Sequence, residues 1–342
     1  MELCGSRYYY SLLNENNKKV YEEICKAILM KKTLIPIKGL SLDGRNYGSI
    51  MVAVNCDNPQ FYYVNFNQCR VYLSLFGSSI DIKYYYTSSK ILELNKQIAE
   101  SVQQILSAEI NEHQSDYDKV LRIHDILKFM AVYDHAAITC RNAASGEAHT
   151  IVGLFINNKC VCEGYAKAMQ LMCTMAGVES ILINGNARSD IASGPHAWNM
   201  VKINGNYHHV DVTWDSQYAK DQTLSCYGYL NLSDRTIEKD HTWDRNMYPK
   251  CDIEPYNYFK MNSALISSKV ELERFLCENI TNEEEHVSFK IMETNSFKDP
   301  GIHAFETIIP NVSARCKNLR VNQYLLACME KQNAYALHLS YR

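Results

Sequence analysis

No stretch of this 342-residue chain approaches the roughly 18 consecutive apolar residues of a membrane-spanning helix, so no such span is expected. Basic residues are not in excess: 35 Lys+Arg stand against 38 Asp+Glu, and no long block carries one sign. A nucleic-acid binder, with its basic domain or stripe, is therefore not expected, nor is a charged interaction tail. No CxxC pair occurs, which leaves a zinc ribbon or thioredoxin-type motif without support. No calcium loop of EF-hand type is present, and the expectation is no metal and no other cofactor. There is no internal repeat and no low-complexity tract. The start, Met1-Glu2-Leu3-Cys4-Gly5-Ser6-Arg7-Tyr8, has no basic region followed by an apolar run, so it does not read as a signal peptide. A cytoplasmic setting is expected, with secretion or surface attachment the alternative if a leader has been removed.

What is present is ordinary for a soluble globular protein: 46% hydrophobic and 21% charged residues, in a chain long enough to bury a sizeable core. At roughly 100–200 residues per domain, two or three domains are expected. Thirteen cysteines are spaced irregularly, which fits small buried hydrophobes in a reducing compartment better than a disulfide scaffold.

Three regions can be read. Residues 1–90 form an N-terminal α+β domain: a helix at 14–31 with Val20, Ile24, Ala27 and Ile28 on one face, then strands at Phe61–Val64, Val71–Leu75 and Ile80–Tyr84. Residues 91–250 form the central region. It opens with an amphipathic helix carrying Ile91, Leu94, Ile98, Val102, Ile105 and Leu106, followed by a helix from a Ser115–Asp118 capping box to about Met130. His124-Asp125, inside that helix, reads as a structural hydrogen-bonded pair. Residues 251–342 form a small α+β domain. It has a Ser268–Glu271 capping box, a strand at His286–Ile291, a helix near 318–331 and a strand at 334–341.

The chemistry lies between 160 and 215. Cys162-Glu163-Gly164-Tyr165-Ala166-Lys167-Ala168-Met169 opens an apolar-faced helix that ends at Gly177. A cysteine at a helix N-terminus sits among unpaired N–H groups and the positive end of the dipole, which favours a thiolate. His196–Ile203 reads as a strand, Asn204-Gly205 as a two-residue hairpin turn, and Asn206–Trp214 as the return strand. In that register His196 faces Thr213 and Trp198 faces Asp211. His196 and Asp211 are then diagonal neighbours, a pairing that a one-residue slip removes. A carboxylate beside an imidazole fixes its tautomer and stabilises the imidazolium. Thiol, histidine and carboxylate occur in the order of a thiol acyl-transfer site. Tyr165, Trp198 and Trp214 either wall a substrate cleft or pack in the core.

The blocks Val161-Cys162-Glu163-Gly164-Tyr165-Ala166, His196-Ala197-Trp198-Asn199 and His209-Val210-Asp211-Val212-Thr213-Trp214-Asp215 resemble the transglutaminase-like superfamily, within the papain-like thiol enzymes. The likeness covers about residues 115–245 and takes in Tyr229–Asp234 and Asp240-His241. With His124-Asp125 and Tyr133-Asp134 it is similar to the bacterial branch. It implies a helix bearing the cysteine packed on an antiparallel sheet bearing the other two residues, flanked by α+β domains. It also implies Cys162 as nucleophile, His196 as general base then acid, and Asp211 as orienting carboxylate. Members usually have glycine where this chain has Cys160, which is either a neutral substitution or a thiol that resolves an oxidised Cys162.

The expected activity is hydrolysis of a peptide or amide bond in a protein or peptide substrate, through a thioester. Amine transfer or deamidation by the same triad is the first alternative. An inactive binding module is another. A metal site drawn from Cys160, Cys162, His196, His208 and His209 is a fourth, though a C-x-C pair without a second matched pair is poor zinc spacing. Oligomeric state is not readable.

Overall fold

Helices and mainly antiparallel strands make this an α+β protein, as the sequence predicts. The computed structural model describes residues 5–74, 77–139, 143–189, 193–218, 223–316 and 321–341. Cys4, Leu75 and Cys140 lie outside them. The chain divides into two compact units. One comprises Met1–Ile123, Met130–Asn184 and His196–Lys202; the other comprises His124–Phe129, Gly185–Pro195 and Ile203–Arg342.

In the first unit, helix α1 (Glu15–Leu29) is capped by the Asn14 side chain and buries Val20, Ile24, Ala27 and Ile28, the expected face. Strands β1 (Leu34–Ile37), β2 (Arg70–Ser74) and β3 (Gly77–Asp81) form an antiparallel sheet in the order β1-β3-β2. Between β1 and β2 lies helix α2 (Gly44–Asp57), which buries Ile50, Met51, Ala53 and Val54. Residues 61–64 are not the expected strand. Pro59–Phe61 is a 3-10 turn, and Val64 makes one isolated bridge to Tyr84. Their hydrophobicity reflects burial, since Tyr62 and Tyr63 are inside the core.

Helix α3 (Ser88–Glu109) buries Ile91, Leu94, Ile98, Val102 and Leu106. Helix α4 (Asp116–Met130) opens on the Ser115–Asp118 capping box with both reciprocal bonds made, so Asp serves as well as Glu there. Helix α5 (Cys162–Met175) buries Ala166, Met169, Leu171 and Met172. Each large side chain so buried contributes about 1.5–3 kcal/mol. The chain leaves the helix through Gly177, whose φ of 82° favours glycine.

Strands β4 (Ser180–Arg188) and β5 (Ser193–Ile203) contribute residues to both units. The Asn204-Gly205 turn has φ of 48° and 84°, positive at both positions as a type I′ turn requires. Strand β6 (Asn206–Val210) then stops four residues short of the expected Trp214. Val212–Tyr218 is helix α6, so Thr213 is helical and the predicted His196–Thr213 ladder position does not form.

In the second unit, β7 (Leu230–Leu232) pairs antiparallel with β6, with a bulge at Asn231. The short β8 (His241–Thr242) pairs with the end of β4, His241 opposite Ala187. The C-terminal part contains α7 (Lys269–Thr281), β9 (His286–Ile291), α8 (Phe305–Arg315), β10 (Val321–Met329) and β11 (Ala334–Tyr341). Leu265–Ile266, β9, β11 and β10 make one sheet in that order. Residues 321–329 are thus a strand, not the expected helix. Ser268 caps the amide of Glu271, but the Glu271 carboxylate accepts from Ser267, so only half of that capping box forms.

Candidate active site

Cys162 begins α5 and is half-buried, two residues after the fully buried Cys160. Val161 at the N-cap supplies no side-chain cap, so no side chain of its own competes for the first-turn amides. The entry is set by close packing. A Cβ on Gly164 would lie 2.6 Å from the Ala148 carbonyl oxygen and 2.8 Å from the Cys160 Cβ. The bare Gly164 therefore makes room for the Cys160 side chain. Burial pushes the Cys160 thiol well above its ordinary range, which makes it a poor nucleophile and a poor resolving thiol.

Next to Cys162, Glu163 bonds Lys167 Nζ at 2.8 Å and His149 Nδ1 at 3.1 Å. Burial raises its proton affinity, but Lys167 and His149 outweigh that and hold the carboxyl at about 2. Lys167 also donates to Asn55 Oδ1 at 3.0 Å, and Gln170 Nε2 donates to the Cys56 carbonyl at 2.9 Å. These bonds fasten α5 to the end of α2.

Strand β5 carries His196, which is half-buried and stacks on Trp198 with ring centroids 6.0 Å apart. Three residues on, the buried Asn199 donates its side-chain amide to the carbonyl of Ala166 at 3.0 Å. The histidine strand is thereby bonded to the first turns of the cysteine helix, a docking that spacing along the chain did not specify. Tyr165 and Trp198 are each 1% exposed, and the Tyr165 hydroxyl donates to the Ala131 carbonyl at 2.5 Å. Both pack in the interior.

Asp211 belongs to the second unit and is 1% exposed. It does not continue β6; it caps α6. Its Oδ1 accepts from the Trp214 amide at 3.2 Å, and its own amide donates to the Tyr229 carbonyl at 2.9 Å. Its Oδ2 is 3.0 Å from His241 Nε2, so a second histidine, missed as a functional residue in the sequence, stands on this carboxylate. Trp214 keeps some surface and packs against the rings of Tyr229 and His241.

Three other buried histidines lie in the second unit. His124 Nδ1 lies 3.9 Å from Asp125, at ion-pair rather than hydrogen-bond distance, and its Nε2 meets Asp215 at 3.0 Å. Asp125 also binds Lys128 at 2.7 Å. Burial opposes ionisation of Asp125, but His124 and Lys128 hold it at about 2. His209 Nε2 bonds Asp234 at 2.8 Å, and these two with Cys251 bring ligand-type atoms within 4.8 Å of one another. Of the metal set considered from sequence, only His209 belongs to that group. The His–Asp bond already satisfies Nε2, and Arg245 lies 4.0 Å from Asp234. His208 is fully buried, with neither ring nitrogen hydrogen-bonded among the described residues, and burial lowers its pKa to about 4.

No helix among the described residues is long and apolar enough to cross a membrane. A family model described as the transglutaminase-like superfamily matches residues 104–212. Over 141 residues the chain is 26% identical to kyphoscoliosis peptidase of Mus musculus, a stretch covering 39% of this chain and 21% of that protein. It is 28% identical over 121 residues to kyphoscoliosis peptidase of Homo sapiens, covering 33% of this chain and 18% of that one. The chain thus spans about a fifth of the length of these curated relatives. A crystal structure of a TGase aligns with 53% of this chain and 50% of its own, at 13% identity and a TM-score of 0.31. Cys162, His196 and Asp211 all fall within the matched segment, and the chain carries, over residues 104–212, a domain of the transglutaminase-like superfamily.

Proposed function

We propose that this protein is a thiol hydrolase that cleaves peptide or amide bonds, with Cys162 as nucleophile, His196 as base then acid, and Asp211 as orienting carboxylate. The observation that supports this reading best is the Asn199–Ala166 bond, which fastens the strand of His196 to the helix that Cys162 opens. In this reading His196 takes the Cys162 proton and the sulfur attacks the carbonyl carbon. First-turn amides of α5 hold the oxyanion. His196 returns the proton to the leaving amine as the C–N bond breaks, leaving a thioester. Water, deprotonated by His196, then releases the acid and restores the thiol. Of Tyr165, Trp198 and Trp214, it is Trp214 that keeps surface with which to meet substrate.

The test is a peptide-amide library incubated with wild type and Cys162→Ala, with and without an added primary amine. Acid products formed only by wild type support hydrolysis. Products carrying the added amine would reassign the chemistry to transfer. Equal products from both proteins, or none from either, would remove the enzyme reading.

A further inference from the structure

We propose that His241 is a positioning residue for the thiol site, holding Asp211 in the orientation in which it serves His196. This rests on the reading of Asp211 as the orienting carboxylate. His241 is fully buried on the two-residue strand β8, and both its ring nitrogens meet a carboxylate oxygen. Nε2 is 3.0 Å from Asp211 Oδ2, and Nδ1 is 2.5 Å from Asp240 Oδ1. Among the described residues of the second unit, Asp211 and Asp240 are the charged groups shown bonded to it. The rings of Trp214 and Tyr229 pack at 4.7 and 5.7 Å.

Hydrogen-bond accounting fixes the roles. Asp240 Oδ2 accepts from the Tyr229 hydroxyl at 2.7 Å and from Gln332 Nε2 at 3.3 Å. Asp211 Oδ1 accepts from the Trp214 amide. Each carboxylate is thus occupied as an acceptor, and a histidine between two acceptors donates from both nitrogens. The buried row Tyr229–Asp240–His241–Asp211 is anchored at both ends by backbone. The Tyr229 carbonyl takes the Asp211 amide, and the Arg188 amide donates to the Asp240 carbonyl. Charge-assisted bonds of this kind are short and directional, which suits them to holding one carboxylate rotamer.

The experiment measures alkylation of Cys162 by iodoacetamide at pH 6 and pH 9, read by peptide mass spectrometry on the full chain. It compares wild type, His241→Ala, His241→Gln, Asp211→Ala, the His241→Ala/Asp211→Ala double variant and His196→Ala. His241→Ala is expected to lose roughly tenfold at pH 6, the scale on which partners that orient a functional side chain act, and less than twofold at pH 9. His241→Gln, which keeps a donor, recovers part of the loss. The double variant matches Asp211→Ala alone, because His241 acts through Asp211. A wild-type rate in His241→Ala, or losses that multiply in the double variant, would overturn the proposal. If His241→Ala does not fold, His241→Gln carries the test: a rate at or below that of Asp211→Ala at both pH values counts as structural damage and overturns it. Loss in His196→Ala and Asp211→Ala with none at His241 removes His241 alone. A wild-type rate in His196→Ala removes the triad and this inference with it.

Discussion

Cys160 and Cys162 are two residues apart and chemically identical, yet the fold treats them in opposite ways. Cys160 ends a two-residue strand, is fully buried against Gly164, and has its thiol held protonated by burial. Cys162 opens a helix and keeps surface. The difference teaches that position relative to a helix start sets a thiol's access to solvent; residue type and neighbourhood in sequence do not.

The largest expected effect breaks the comparison outright. Cys162→Ala abolishes turnover, a loss on the order of 10⁴-fold or more, whereas Cys160→Ala changes kcat/KM by less than about threefold. Equal losses in the two variants would erase the distinction. Gly164→Ala attacks the packing that separates the two thiols. Its Cβ must displace both the Ala148 carbonyl and Cys160, so unfolding in urea should show a loss of about 1–3 kcal/mol. Cys160→Gly in the same chain relieves only the second contact and restores part of that loss.

Burial acts on a histidine in the same way. His208 has a folded pKa of about 4 against an ordinary value of 6.5. Below pH 6.5 the unfolded chain takes up a proton that the folded chain refuses. Its stability is therefore greatest above pH 6.5, falls as the pH drops, and levels off near pH 4. His208→Leu should remove on the order of 2 kcal/mol of that acid-side slope, read as the difference between urea titrations at pH 7 and pH 4.5. An unchanged slope would show that His208 is hydrated in the folded protein. The smallest effect on stability is expected from Asn199→Ala, about 1 kcal/mol in thermal unfolding, because one neutral hydrogen bond is lost. Its effect on Cys162 alkylation should exceed its effect on stability, since β5 loses its bond to α5.

Much of this was legible beforehand. Helices α1, α3, α4 and α5 announce themselves through apolar spacing and caps, and Asn204-Gly205 marks its turn. What failed did so for physical reasons. Residues 61–64 are hydrophobic because a turn is buried. Strand β10 lies at a sheet edge, so its burial does not alternate cleanly. Asp211 read as a strand residue, but its carboxylate finds the Trp214 amide, and the side-chain cap turns the chain into α6. His241 was visible only as part of the family blocks. Its place on Asp211 depends on β8 pairing with the end of β4, a long-range contact that no local pattern encodes.

The most direct test follows both thiols in one digest. Folded wild type and His196→Ala are treated with iodoacetamide at pH 6, and the peptides of Cys160 and Cys162 are quantified over time. In wild type, Cys162 should react at least about tenfold faster than in His196→Ala, with Cys160 unlabelled until denaturant is added. A Cys162 rate indifferent to His196, or Cys160 labelled as fast as Cys162 in the folded protein, would contradict the account.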